Sequence, residues 1–261
     1  MAAISRWIEQ TTPELMIVDV SVEVALLARL HGIPVVTMVL PGVRTDSPHL
    51  LAHRISRRVI AAWPPEFPGM LSGIDERDTR LTHVGGFSRF DDRAAEPPVR
   101  RTSRRKRVAL LAGRGGHEFD PAAIEAARAT TPDWEWTILG LGAHTWVDDP
   151  WTVLVNSDVV VTHAGQNAVA EVAAARRPAV LLPQQRPHGE QGATTAALCH
   201  DGRLTVVVLD SFPSSGWSDW LDAAARLDGE KWRAWNDGMG AARAAAVIEG
   251  EVMTRDRNER R

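Results

Sequence analysis

Ser157-Asp-Val-Val-Val-Thr-His163-Ala-Gly165-Gln-Asn-Ala-Val-Ala-Glu171, continued by Pro178-Ala-Val-Leu-Leu-Pro183 and His188-Gly-Glu190-Gln191, is the stretch that decides the fold. Val159 to Val161 form a short β-branched run of the kind a buried parallel strand needs, and it stops at a His-Ala-Gly turn. An alanine-rich helix starts at Gln166 or Asn167, a second strand follows, and a polar loop closes the unit. Strand, turn, helix and strand in that order place polar groups at the carboxyl end of a strand, where open α/β sheets bind ligands. The helix start aims unpaired backbone N–H groups and a partial positive charge at the same crevice. Gly165 lets a bulky anion approach the backbone.

Glu171 lies four residues after Asn167 and so shares its helix face. A carboxylate accepts hydrogen bonds from a vicinal diol, so a phosphate at the helix start and a ribose near Glu171 describe a nucleotide lying along the helix. Glu190 and Gln191, in the loop after the next strand, offer two further groups able to bind hydroxyls. Taken together, these residues read as a site for a nucleotide that carries a sugar.

These residues resemble the donor lobe of the GT-B fold glycosyltransferases, in particular the family 28 and macrolide or plant UDP-glycosyltransferase branches. The resemblance rests on His163-Ala-Gly165, Glu171, Arg176-Arg177-Pro178, Pro183 and Glu190-Gln191. It implies that His163 and the turn Gly165, Gln166 and Asn167 contact the diphosphate, Glu171 the ribose, and Glu190 with Gln191 the sugar hydroxyls. Arg177 stands where Gly is usual before the proline, and Glu190 where Asp is commoner. The likeness is dense over residues 107 to 210 and looser over 14 to 90. It implies an α/β fold of two Rossmann-like lobes, the first incomplete.

Along the chain the expected division is a partial acceptor-side lobe over 1–90, a linker over 91–106, a nucleotide-sugar-binding lobe over 107–250 and a charged tail over 251–261. In the first lobe Leu15 to Val20 reads as a strand, Ser21 to His31 as a helix closed at Gly32, and Ile33 to Leu40 as the next strand. His49 to Trp63 reads as a helix and Leu81 to Phe87 as a last strand. The end of the linker and the first residue after it carry Arg100, Arg101, Arg104, Arg105, Lys106 and Arg107, which read as a solvated run. Only about three strands precede it, so the chain is expected to begin in mid-domain. In the resembling plant enzymes a histidine after the first strand is the base and a later aspartate orients it. Asp19 matches that aspartate, and the base is expected to belong to a missing segment, with Glu23 as a substitute.

In the second lobe strand Val108 to Ala112 leads into Gly113-Arg-Gly115-Gly116-His117, and a helix opens with Asp120 as its cap and Pro121 in its first turn. The glycine spacing does not fit the dinucleotide fingerprint, and the next strand ends in Leu139-Gly140 with no ribose-binding acid. In the resembling family this loop faces sugar and phosphates, which adds Gly115 and Gly116 to the donor-binding set. Trp146 and Val147 lie where that family holds the base, although a packed tryptophan reads equally well.

A formal charge of -3 and 44% hydrophobic residues over 261 positions suit a soluble enzyme with two modest cores, and no nucleic-acid partner is expected. The single cysteine, Cys199, excludes a disulfide framework and a cysteine-based zinc site. No run approaches the ~18 to 20 apolar residues of a membrane span, so a cytoplasmic location is expected. His53, Arg54, Arg57 and Arg58 leave room for peripheral contact with the inner face of the membrane. No metal-ligand motif stands out, so no metal and no cofactor are expected, the nucleotide sugar being a co-substrate. The expected activity is inverting, metal-independent transfer from a nucleotide sugar, UDP-linked, to a hydroxyl of a lipid-linked or small-molecule acceptor. The competing readings are a nucleotide-sugar epimerase or hydrolase, and a non-catalytic donor-binding partner of a full transferase.

Overall fold

The computed structural model describes residues 1–93, 105–113, 118–200 and 205–259. The first lobe opens with helix α1 (Ala2–Thr11), an element not expected from the sequence. Strand β1 (Met16–Asp19), helix α2 (Val22–Leu30) and strand β2 (Val35–Val39) then form the expected βαβ unit, with Ser21 accepting the Val24 N–H as N-cap. After the short strand β3 (Gly42–Val43) comes helix α3 (Ser47–Ile55), capped by Asp46 with Pro48 in its first turn. The segment 49–63 is therefore not one helix. It stops at Ser56, whose backbone is extended, and strand β4 (Arg58–Ala61) follows because Val59, Ile60 and Ala61 are an apolar run fully buried in the sheet. Strands β5 (Leu71–Ser72) and β6 (Leu81–His83) complete the lobe. Four parallel strands lie in the order β1-β2-β4-β6, and β3 pairs with β5 apart from them.

The second lobe holds β7 (Lys106–Leu111), α4 (Pro121–Thr130), β8 (Trp134–Leu139), α5 (Trp151–Asn156), β9 (Val159–Thr162), α6 (Gln166–Ala175), β10 (Ala179–Leu181), α7 (Glu190–Cys199), β11 (Val206–Val208) and α8 (Trp217–Ala225). Its five parallel strands run β11-β10-β9-β7-β8. Residues of β9 and β10 are fully buried on both faces, which is what a β-branched run without alternation demands. Helix α6 is alanine-rich on the side that meets the sheet, and Ala173 and Ala175 are wholly inaccessible.

Helix α9 (Gly240–Glu259) leaves the second lobe and returns to the first. Ala244, Val247 and Ile248 pack with Val36 and Ile60 of the first sheet, and Glu251 accepts from Arg58 Nε at 2.7 Å. A boundary at residue 250 thus falls inside a helix that serves the first lobe. The same contact takes up Arg57 and Arg58, His53 is buried, and Arg54 is exposed. Among the described residues no helix is long and apolar enough to cross a bilayer.

Candidate nucleotide-sugar site

The strand order of the second sheet reverses at β7: β8 lies on one side of it and β9 on the other. Loops leaving the carboxyl ends of β7 and β9 diverge there and open a crevice. Gly113 follows β7 and His163 follows β9. A Cβ placed on Gly113 would lie 2.9 Å from His163 Nε2 and one on Gly140, after β8, 3.7 Å from the Trp146 ring, so these groups line one crevice. Trp146 is 37% exposed and donates from Nε1 to Asp148. Gly115, Gly116 and His117 fall outside the described residues.

His163 is 9% exposed, and its Nδ1 accepts the Gly165 N–H at 3.0 Å. In the neutral ring this puts the proton on Nε2, the nitrogen that faces Gly113. Gly165 has an ordinary extended backbone, yet a Cβ there would stand 2.6 Å from the imidazole. Glycine is required because the histidine ring lies over it, a reason that spacing alone did not reveal. As N-cap, Gly165 provides no side chain to the first turn of α6, so among the described residues the N–H groups of Gln166, Asn167 and Ala168 have no intrahelical or capping partner. Gln166 Oε1 is buried without a hydrogen-bond partner among the described residues, and Asn167 is exposed.

Glu171, one turn deeper, has a side chain only 14% exposed. Its Oε1 accepts from Arg89 Nε at 3.0 Å, and Arg89 also donates to the Asp148 carbonyl and lies 4.5 Å over the Phe90 ring. Burial pushes the Glu171 carboxyl up, while the Arg89 charge and hydrogen bond pull it back. Arg89, at the start of the interlobe connection, is a site neighbour that sequence reasoning missed. Nothing in the sequence links it to a residue 82 positions away.

Glu190 and Gln191 open α7 and do different work. Gln191 is 3% exposed, and its Oε1 accepts both the Ala164 N–H at 3.1 Å and the Gln184 N–H at 2.9 Å. It ties the turn after β9 to the loop after β10, so its carbonyl is committed to positioning. Glu190 faces the first lobe, 3.5 Å from Arg44 Nη2. Burial lowers the Arg44 pKa, and Glu190 and Asp46 raise it again. Beside this pair, His188 Nδ1 donates to the Val43 carbonyl at 3.0 Å, and Gly42, with φ +106, comes so close that a Cβ would be 2.3 Å from the His188 carbonyl. Asp19 is exposed at the carboxyl end of the edge strand β1, and the next residue, Val20, is held at φ +68. The structure does not bring Asp19 into contact with the donor-site residues.

Residues 86–213 match the model of the glycosyltransferase family 28 C-terminal domain. Those residues form a domain of the family 28 glycosyltransferase type, and the fold of the chain is that of the GT-B glycosyltransferases. A crystal structure of the glycotransferase of kitacinnamycin superposes with a TM-score of 0.69 at 19% identity, over 95% of this chain and 78% of that one. The calicheamicin glycosyltransferase CalG4 gives 0.64 at 20%, over 95% and 76%. The spinosyn rhamnosyltransferase SpnG, complexed with thymidine diphosphate, gives 0.53 at 17%, over 97% and 73%. No curated protein matches the sequence. These likenesses concern the fold. The family match covers β7 to β11 and with them His163, Glu171, Glu190 and Gln191.

Proposed function

We propose that this glycosyltransferase moves a sugar from a nucleoside diphosphate donor, UDP-linked, to an acceptor hydroxyl, with inversion and without a metal at the diphosphate. The observation that carries the reading is the uncapped start of α6 beside His163 at the reversal of strand order. Backbone N–H groups and the His163 Nε2–H would meet the departing diphosphate, stabilising charge that develops as the glycosidic bond breaks. Glu171 would take the ribose diol in exchange for Arg89, and Trp146 would carry the base. Glu190 would take sugar hydroxyls. The thymidine diphosphate bound by SpnG is a ligand of the class proposed here. Direct attack by the acceptor oxygen on the anomeric carbon inverts its configuration. Asp19 would orient the base that removes the acceptor proton, so Asp19→Asn should lower kcat and leave donor affinity unchanged.

The test is a product assay with UDP-sugars in EDTA, with and without candidate acceptors. UDP release that requires an acceptor supports transfer. Release without one indicates a hydrolase, a changed sugar on intact UDP indicates an epimerase, and binding without turnover indicates a donor-binding partner of another transferase.

A further inference from the structure

We propose that Asp46, His49 and His188 form a divalent transition-metal site, suited to Zn²⁺, that joins the two lobes at the sugar end of the cleft. The three side chains each offer one ligand atom within 4.8 Å of the other two, and among the described residues they are the one His/Cys/Asp/Glu group so placed. His49 Nδ1 stands 2.8 Å from both Asp46 oxygens, His188 Nδ1 is 4.0 Å from Asp46 Oδ2, and the two rings meet edge to face at 4.7 Å. Ligands bound at about 2.1 Å to a tetrahedral ion stand about 3.4 Å apart, so small side-chain movements close the set.

The surroundings favour a cation. Asp46 and Glu190 against Arg44 leave one net negative charge, with Arg44 turned to Glu190 and to the Pro41 carbonyl. The Val43 carbonyl now accepts the His188 Nδ1–H at 3.0 Å, so an ion bound at that nitrogen replaces this hydrogen bond. His188 reaches this position from a left-handed backbone, φ +63, followed by Gly189 at φ +66. A β-carbon-bearing residue in that conformation is strained and persists where its surroundings demand it. Binding at His49 Nδ1 moves that ring's proton to Nε2, so Arg44 Nη1 must give up its present 3.2 Å contact there. Two imidazoles and one carboxylate match the preferences of Zn²⁺ and leave a coordination position open. Asp46 and His49 belong to the first lobe and His188 to the second, so the ion would pin the lobes together.

Metal-stripped protein titrated with Zn²⁺ by calorimetry and with Co²⁺ by visible absorption tests this without any nucleotide. The expected result is one saturable equivalent, a Co²⁺ spectrum of tetrahedral type, and a rise in Tm with Zn²⁺. Affinity should fall at least tenfold in both His188→Ala and Asp46→Asn, and stay unchanged in His144→Ala, a histidine elsewhere in the second lobe. Circular dichroism confirms that the variants are folded, and Asp46→Asn stands if His188→Ala is not. Absence of saturable binding, or wild-type affinity in a folded His188→Ala or Asp46→Asn, would overturn the site.

Discussion

In the first sheet each new strand is laid on the same side of the last, β1 to β2 to β4 to β6, whereas in the second β8 goes to one side of β7 and β9 to the other. The second arrangement makes successive loops diverge, and there the start of α6, the His163 imidazole and the Glu171 carboxylate lie on one strand–turn–helix unit. The first sheet contributes through what its β2–α3 loop touches: Arg44 meets Glu190, and Val43 meets His188. The proposed donor site therefore draws on the second lobe, with the lobe interface at its proposed sugar end. Substitutions in the two regions should separate binding from turnover.

The largest effect is expected at His163. His163→Ala should weaken UDP binding about tenfold to a hundredfold, the loss of one hydrogen bond to a charged group. Gly165→Ala should do nearly as much by driving the ring away. In a His163→Ala background the same glycine change should cost little more, because the ring it displaces is gone. Calorimetry on the four proteins measures this, and additive losses would assign Gly165 a different role.

Gly42→Ala should act in the opposite manner. It has to strain a φ of +106 and displace the His188 carbonyl, so the lobes separate, and kcat should fall about tenfold for a strain of about 1–3 kcal/mol. UDP affinity should hold. A matching loss of UDP affinity would show that the donor site is not confined to the second lobe.

The smallest effect concerns Arg89. Burial raises the Glu171 pKa and Arg89 lowers it, so donor binding that needs the carboxylate should fall as pH drops through this raised value. Arg89→Ala removes the lowering influence and should move that acid limb to higher pH. For stability the sign is reversed: a raised carboxyl contributes most below the ordinary carboxylate range, and that contribution is lost as pH rises through the raised value. An unmoved limb would mean that Arg89 does not bear on the ribose carboxylate.

The donor lobe was legible because its signals are local. Val159 to Thr162 is a buried run, and His163, Gly165 and Glu171 sit at fixed offsets on one strand–turn–helix unit. Where meaning depends on distant chain, the sequence was silent. It did not foretell α1, took β4 for helix because Arg57 to Ala61 continues an apolar pattern, and placed α9 with the wrong lobe. Gln191 read as a sugar ligand, yet its carbonyl closes a hydrogen-bond pair between two loops. Asp46, His49 and His188 have no motif spacing, since one of the three comes from the other lobe. Arg89 likewise meets Glu171 only through the fold.

The central claim is that a nucleotide lies along α6 with its ribose on Glu171, and a calorimetric cycle of wild type and Glu171→Ala against UDP and 2′- or 3′-deoxy UDP, in EDTA, tests it most directly. UDP should lose about tenfold to a hundredfold on mutation, as for a charge-assisted hydrogen bond, while the deoxy ligands bind wild type weakly and lose much less. Equal losses for ribose and deoxyribose ligands, or binding abolished by EDTA, would contradict it.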